Sequence, residues 1–130
     1  MKRIIVTFFS FILFLFSATA CKSPVTTDGD FVVITAKDVE ENTTLLDYMN
    51  VLQEQGEFSF TIENGMVISI GDKANTTSSY WMLYTSDEEN SNATWGTVEY
   101  QERTYNSASV GAEELVVKEG ITYIWAYTTF

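Results

Sequence analysis

The chain has no histidine, and Cys21 is its single cysteine. Without histidine, neither a Ser-His nor a Cys-His catalytic pair can form. Zinc sites of the usual type are excluded as well if Cys21 is acylated, because no free thiol then remains. A catalytic pair of carboxylates needs two placed acids, and no spacing marks such a pair among the eighteen acidic residues. We therefore predict that the protein is not an enzyme and holds no metal or cofactor of its own.

Positive charge is scarce, since seven lysine and arginine residues stand against eighteen acidic ones, for a net charge of −11. Residues 21–130 keep five of the basic groups and all of the acidic ones, so their formal charge is −13. Binding to nucleic acid requires a basic patch, and we expect no such partner. The acidic run at residues 87–89 lacks the spacing of an EF-hand calcium loop, so it is interpreted as a solvated face.

No apolar run reaches the roughly 20 residues that a transmembrane helix needs. The longest, residues 4–16, follows Lys2 and Arg3 and precedes a short run of small residues that ends at Ala20. A basic start, an apolar centre and a small-residue cleavage site are typical of a secretory signal peptide. We assign residues 1–20 to such a signal and expect the mature protein outside the cytoplasm.

The position of Cys21 resembles the lipobox of bacterial lipoproteins, in which the cysteine after the signal is lipidated and becomes the first residue. A second interpretation stays open: ordinary cleavage after Ala20, which leaves a lone thiol in a secreted protein. The resemblance implies a diacylated Cys21 that anchors the protein to the bacterial cell membrane. Residues 21–30 are then expected to form a short polar tether, followed by one domain over residues 31–130.

Apolar residues recur at helical spacing from Leu45 to Leu52, and Gly56 offers a stop. Thr44 and Asp47 stand as an N-cap residue and its third follower, which resembles a capping box. These signals predict one helix over residues 45–55.

The remaining segments have the alternation and turn residues of strands. Asn64-Gly65 predicts a tight hairpin, and the large side chains of residues 80–85 point to both faces, so both faces of that strand are expected to be covered. In the last strand Tyr123, Trp125 and Tyr127 share one face. Predicted strands lie at residues 31–37, 58–63, 66–70, 80–85, 94–100 and in a second hairpin of residues 114–117 and 121–130; residues 71–79 and 101–113 are predicted loops. The prediction is an α+β domain with one helix and a mainly antiparallel sheet of about six strands.

Four segments together resemble the transcobalamin C-terminal-like domain. They read "TLLDYM", "NGMVISIGD", "SYWMLYT" and "LVVKEGITYIWAYT", and the similarity runs from about residue 38 to residue 128. The resemblance implies a small β-grasp-like domain in which a sheet cradles the helix. In the animal vitamin B12 carriers of this family the domain covers one face of a corrinoid, which implies a ligand edge at residues 85–96.

Carried over by position, this edge contains Trp95 and Asn92 as candidate ligand-binding residues, and Tyr84, which directly precedes it, is the third candidate. An indole in a polar loop is suited to stacking on a flat ligand. The other interpretation of Trp95 is that the loop folds back and the ring caps the sheet core.

Two functions are compatible with these features. One is a membrane-anchored, non-enzymatic lipoprotein that captures a corrinoid such as cobalamin or presents it to an uptake system. The other is a cell-surface module for protein–protein interaction, which docks on a neighbouring surface protein or on a second copy of itself through exposed strand edges.

Overall fold

The computed structural model of the protein describes residues 23–130. The predicted signal peptide and Cys21 lie outside the described residues. The described elements, in chain order, are β1 (Val25–Asp28), β2 (Phe31–Thr35), α1 (Leu45–Glu54), β3 (Phe60–Glu63), β4 (Met66–Ile70), β5 (Lys73–Ala74), β6 (Ser79–Thr85), two 3₁₀ turns (Glu88–Asn90 and Ala93–Trp95), β7 (Thr97–Tyr100), β8 (Arg103–Ser107) and β9 (Thr122–Thr129).

The strands form two antiparallel sheets. The larger has six strands in the order β1-β2-β9-β6-β8-β7, and the smaller has three in the order β3-β4-β5. β9 lies between β2 and β6 and pairs with β6 over seven residues of each strand. The described part of the chain is therefore mostly β with one α-helix, which confirms the coarse prediction, although the strands are divided between two sheets.

The helix begins and ends close to the predicted residues. The Thr44 side chain accepts a hydrogen bond of 3.1 Å from the amide of Asp47, the N-cap that the sequence indicates. Two further amides at this helix end are satisfied by carbonyls from a distant segment, since Leu45 donates to Leu115 at 2.7 Å and Leu46 donates to Ala112 at 3.0 Å. This end of the helix is thus joined to the segment before β9.

The Asn64-Gly65 hairpin is also confirmed. Both residues have positive φ, 52° and 78°, as a type I′ turn requires. Gln101 and Glu102 make a second turn of the same kind between β7 and β8, with φ of 51° and 67°. Because neither of these two residues is a usual type I′ residue, the sequence did not reveal this turn, and the prediction of a loop over residues 101–113 is wrong for β8.

Two other boundaries are corrected. Residues 21–30 were predicted as a tether, but Val25–Asp28 form β1 and pair with β2, so the polar side chains of this stretch belong to an edge strand. The predicted hairpin of residues 114–117 with the last strand is wrong as well. Val116 instead bridges Thr44, and the amide of Val117 donates to Thr43 at 2.8 Å.

Alternate residues of β6 and β9 divide between two cores, one on each face of the larger sheet. The helix-side core lies between this sheet, α1 and the smaller sheet, and its buried members include Trp81, Tyr123 and Trp125. The tyrosine-side core lies on the opposite face. Its buried members are Tyr84, Tyr100, Tyr105, Ile124 and Ala126. The prediction that both faces of the strand at residues 80–85 are covered is confirmed.

The larger sheet curls around the tyrosine-side core. β1 and β7 are its opposite edges, yet Tyr100 of β7 donates a hydrogen bond of 3.2 Å to the carboxylate of Asp28 in β1. The Tyr100 ring also packs on Phe31 of β2, with 5.3 Å between ring centroids. Contact between opposite edges requires strong twist and coiling of the sheet, and this curl covers one face without help from a helix.

Candidate functional site

Trp95 ends the 3₁₀ turn Ala93–Trp95 and is 62% exposed. Asn92 is the N-cap residue of this turn, and its side-chain oxygen accepts a hydrogen bond of 2.9 Å from the amide of Thr94. The amide of Asn92 donates to Ser107 at the end of β8, at 2.8 Å. The interpretation in which Trp95 caps the core is therefore wrong, because the loop holds the indole at the surface.

Trp95 lines a groove of about 380 Å³ on the helix side of the larger sheet. The groove lies between the β3–β4 hairpin, at residues 65–67, and the segment that follows β8, at residues 107–112. Its other lining residues are Trp81, Met82, Leu83 and Trp125. Three indoles thus contribute to one concave surface, whose size falls in the range of small-molecule sites.

Trp81 and Trp125 are the buried indoles of this groove, and they differ in hydrogen bonding. Trp81 donates from Nε1 to the carbonyl of Lys73 at 2.9 Å. Trp125 is 5% exposed, and its Nε1 has no hydrogen-bond partner among the described residues. Buried donors without an acceptor are uncommon in folded proteins, and this one lies inside the core, in a residue that also lines the groove.

Charge is absent from the groove lining and present at its rim. None of the lining residues is ionisable. The carboxylate of Glu113 lies against Gly65, close enough that a side chain at position 65 would collide with it. Glu113 itself is exposed, and no salt bridge to it occurs within residues 23–130.

The acidic loop before Trp95 is ordered by a buried carboxylate. Asp87 accepts hydrogen bonds from Lys118 Nζ at 3.2 Å, Asn90 Nδ2 at 2.9 Å and the amide of Glu89 at 3.1 Å. Lys118 also pairs with Glu89. Burial acts to raise the pKa of Asp87, but these hydrogen bonds outweigh it and lower that pKa below its ordinary value.

The same two carboxylates raise the pKa of Lys118. This run of acids therefore binds a lysine of the chain itself, and no group of three or more potential metal ligands occurs among residues 23–130.

The other two candidate residues do not lie in the groove. Tyr84 is 8% exposed and belongs to the tyrosine-side core, because residue 84 of β6 points to the face opposite Trp81 and Leu83. Its assignment beside Trp95 is corrected accordingly. Asn92 supports the turn that carries Trp95 but does not line the groove.

The walls of the groove leave little trace in the sequence. The hairpin at residues 65–67 and the segment at residues 107–112 are far apart in the chain, and their juxtaposition depends on long-range packing. The small residues of "NSASVGA", at positions 106–112, were the one local signal, since small side chains leave room beside a strand.

No family model, curated protein or solved structure matches this chain. Among residues 23–130, no helix has the length and apolar character needed to cross a bilayer. The resemblance to the transcobalamin C-terminal-like domain stays a prediction.

Proposed function

We propose that the protein is an exported, lipid-anchored, non-enzymatic binding protein whose Trp95 groove takes a flat, apolar part of a ligand. The observation that carries the proposal is the exposed indole of Trp95 beside a groove that also contains Trp81 and Trp125. A rigid ring held at the mouth of an apolar groove contributes contact area at low cost in side-chain entropy.

A corrinoid is the candidate ligand, and the family resemblance is its source. A groove of about 380 Å³ accepts an edge or substituent of so large a molecule, while the remainder projects toward a partner such as an uptake-system protein. One helix packed on a strongly curled antiparallel sheet supports the β-grasp-like assignment that the resemblance implies.

A lipid anchor at Cys21 would hold this groove at the extracytoplasmic face of the membrane. Three residues separate Cys21 from the first residue of β1, Val25. At about 3.5 Å for each extended residue, the domain begins within roughly 15 Å of the anchor.

Titration of the mature protein with cobalamin tests the proposal, followed by calorimetry and by the visible absorbance of the corrin. Binding is expected, and Trp95→Ala should weaken it by at least tenfold, because the ring is the main exposed contact. Phe130→Ala is the matched control, since Phe130 is an exposed ring that does not line the groove. An absence of binding at high micromolar cobalamin would remove the corrinoid as ligand.

The second candidate function is protein–protein interaction, and the outer edges of β1 and β7, which pair with no further strand among residues 23–130, favour it. Exposed edges accept an added strand from another chain. Sedimentation of the purified protein tests self-association, with Thr97→Lys as the variant that places a charge on the β7 edge. Concentration-dependent dimers that Thr97→Lys abolishes and Trp95→Ala leaves intact would favour this function over ligand binding.

A further inference from the structure

We infer that the Trp95 groove selects a ligand whose ring carries a positive charge. This inference rests on the proposed role of the groove as a binding site, and it names the class of ligand. It combines two separate observations: the uncharged, indole-rich lining and the unpaired carboxylate at the rim.

The carboxylate is that of Glu113, which lies against the backbone of Gly65 at the tip of the β3–β4 hairpin. Gly65 is itself a lining residue, as is Ala112, the residue before Glu113. A ligand ring at the end of the groove that Gly65 and Ala112 line therefore lies near this carboxylate. A cationic group on that ring gains a favourable interaction there, and an anionic group is repelled.

The four basic residues of the described chain lie outside the groove. Lys73 pairs with Asp30, and Lys118 pairs with Asp87 and Glu89. Arg103 stacks on Tyr105, at 5.2 Å from the ring centroid. Lys37 lines a separate cavity together with Ser23 and Gly120. None of these four lines the groove, so an anionic ligand meets no counter-charge from them.

The indoles reinforce the preference for a cation. The face of an indole carries partial negative charge and attracts ammonium and other organic cations, with tryptophan the strongest of the aromatic side chains. Trp95 presents such a ring at the mouth of the groove, in a protein whose net charge is −11. The summed negative field also raises the local concentration of cationic ligands. The ligand class is thus a flat organic cation.

Three bicyclic probes of similar shape test the inference on the mature protein by calorimetry. They are N-methylquinolinium, which is cationic, 1-methylnaphthalene, which is neutral, and 1-naphthoate, which is anionic. The cation should bind about threefold to tenfold more tightly than the neutral ring, and the anion more weakly than both. The advantage of the cation should shrink as salt is raised.

Glu113→Gln is the diagnostic variant, and Glu54→Gln is its matched control. Both remove one exposed carboxylate, but Glu54 lies at the end of α1, does not line the groove and does not approach Gly65 as Glu113 does. Glu113→Gln should reduce affinity for N-methylquinolinium about threefold and leave that for 1-methylnaphthalene unchanged. Glu54→Gln should leave both within experimental error.

The outcomes separate this inference from the function on which it rests. If the neutral ring binds as tightly as the cation, or if Glu54→Gln acts as strongly as Glu113→Gln, charge selection at the rim is wrong and the apolar groove stands. If none of the three probes binds, and Trp95→Ala leaves cobalamin binding unchanged, both the inference and the proposed groove function are wrong.

Discussion

The two faces of the larger sheet are covered in different ways, although the same strands supply both. On the tyrosine side, the sheet curls until β7 reaches β1 and β2, and its own side chains fill the space. On the helix side, α1, the smaller sheet and the segment before β9 each cover one part. These segments do not cover the whole face, and the Trp95 groove lies between the smaller sheet and the segment before β9.

This difference indicates why the candidate site is on the helix side. A face closed by curvature has neighbouring strands on every side of its core and leaves little room for a ligand. A face covered by separate segments has clefts between them, and the side chains that line a cleft can contact a ligand. Substitutions on the two faces of the sheet test this contrast.

Leu115→Ala should be the most damaging change. Leu115 is fully buried in the helix-side core, and its carbonyl accepts from the first amide of α1. Removal of its side chain should lower the free energy of unfolding by about 3 kcal/mol, as is usual for truncation in a core. Urea unfolding measures this loss. Val116→Ala, at a neighbouring exposed residue, should cost less than about 0.5 kcal/mol, and equal losses would contradict the assignment of this segment to the core.

Asp87→Asn should lower stability by about 2 kcal/mol at pH 7, since it removes a buried charge that three donors share. Because the pKa of Asp87 is lowered in the folded state, its contribution is present above the unfolded pKa, near pH 4, and is lost as the pH falls further. The thermal unfolding temperatures of the wild-type protein and Asp87→Asn should therefore converge as the pH is lowered. A difference that stays constant from pH 7 to pH 3 would rule out this role of the carboxylate.

Tyr100→Phe tests the closure of the tyrosine side. The change removes the hydrogen bond to Asp28 and keeps the ring that packs on Phe31, so a loss of about 1 kcal/mol is expected in urea unfolding. The double variant with Asp28→Ala should cost little more than Asp28→Ala alone, because each change removes one partner of the same hydrogen bond. Full additivity of the two losses would show that the edges of the sheet are not joined there.

Trp95→Ala should have the smallest effect on stability, within about 0.5 kcal/mol, because the indole is mostly exposed. The same variant is expected to lose ligand binding, so stability and binding should separate at this residue. Thermal unfolding in the absence of ligand measures this change in stability. A loss above about 2 kcal/mol would mean that the ring serves packing after all.

Local signals in the sequence were sufficient for several elements. Thr44 and the helical spacing after it located α1, Asn64-Gly65 located a hairpin, and alternation assigned Tyr123 and Trp125 to one face of β9. Each of these depends on residues a few positions apart, whose steric and hydrogen-bonding preferences act before the rest of the chain is in place.

The predictions that were wrong concern features that depend on contacts between distant parts of the chain. Val25–Asp28 was predicted as a polar tether because an edge strand has few apolar residues to reveal it. The segment at residues 114–117 has the pattern of a strand, yet it pairs with the start of α1 and not with β9. Tyr84 was placed beside Trp95 through proximity in sequence, although the alternation of β6 sends it to the other face.

The sequence alone determined that the domain is β-rich with one helix, that it is strongly acidic, and that histidine-based catalysis is impossible. The exposure of Trp95 beside a groove, with Trp81, Trp125 and the carboxylate of Glu113 near it, follows from the folded arrangement and not from any local pattern. Composition and periodicity are properties of the chain, whereas a concave site is built from distant segments. Whether those segments meet depends on how the sheet curls and on which segments cover its faces.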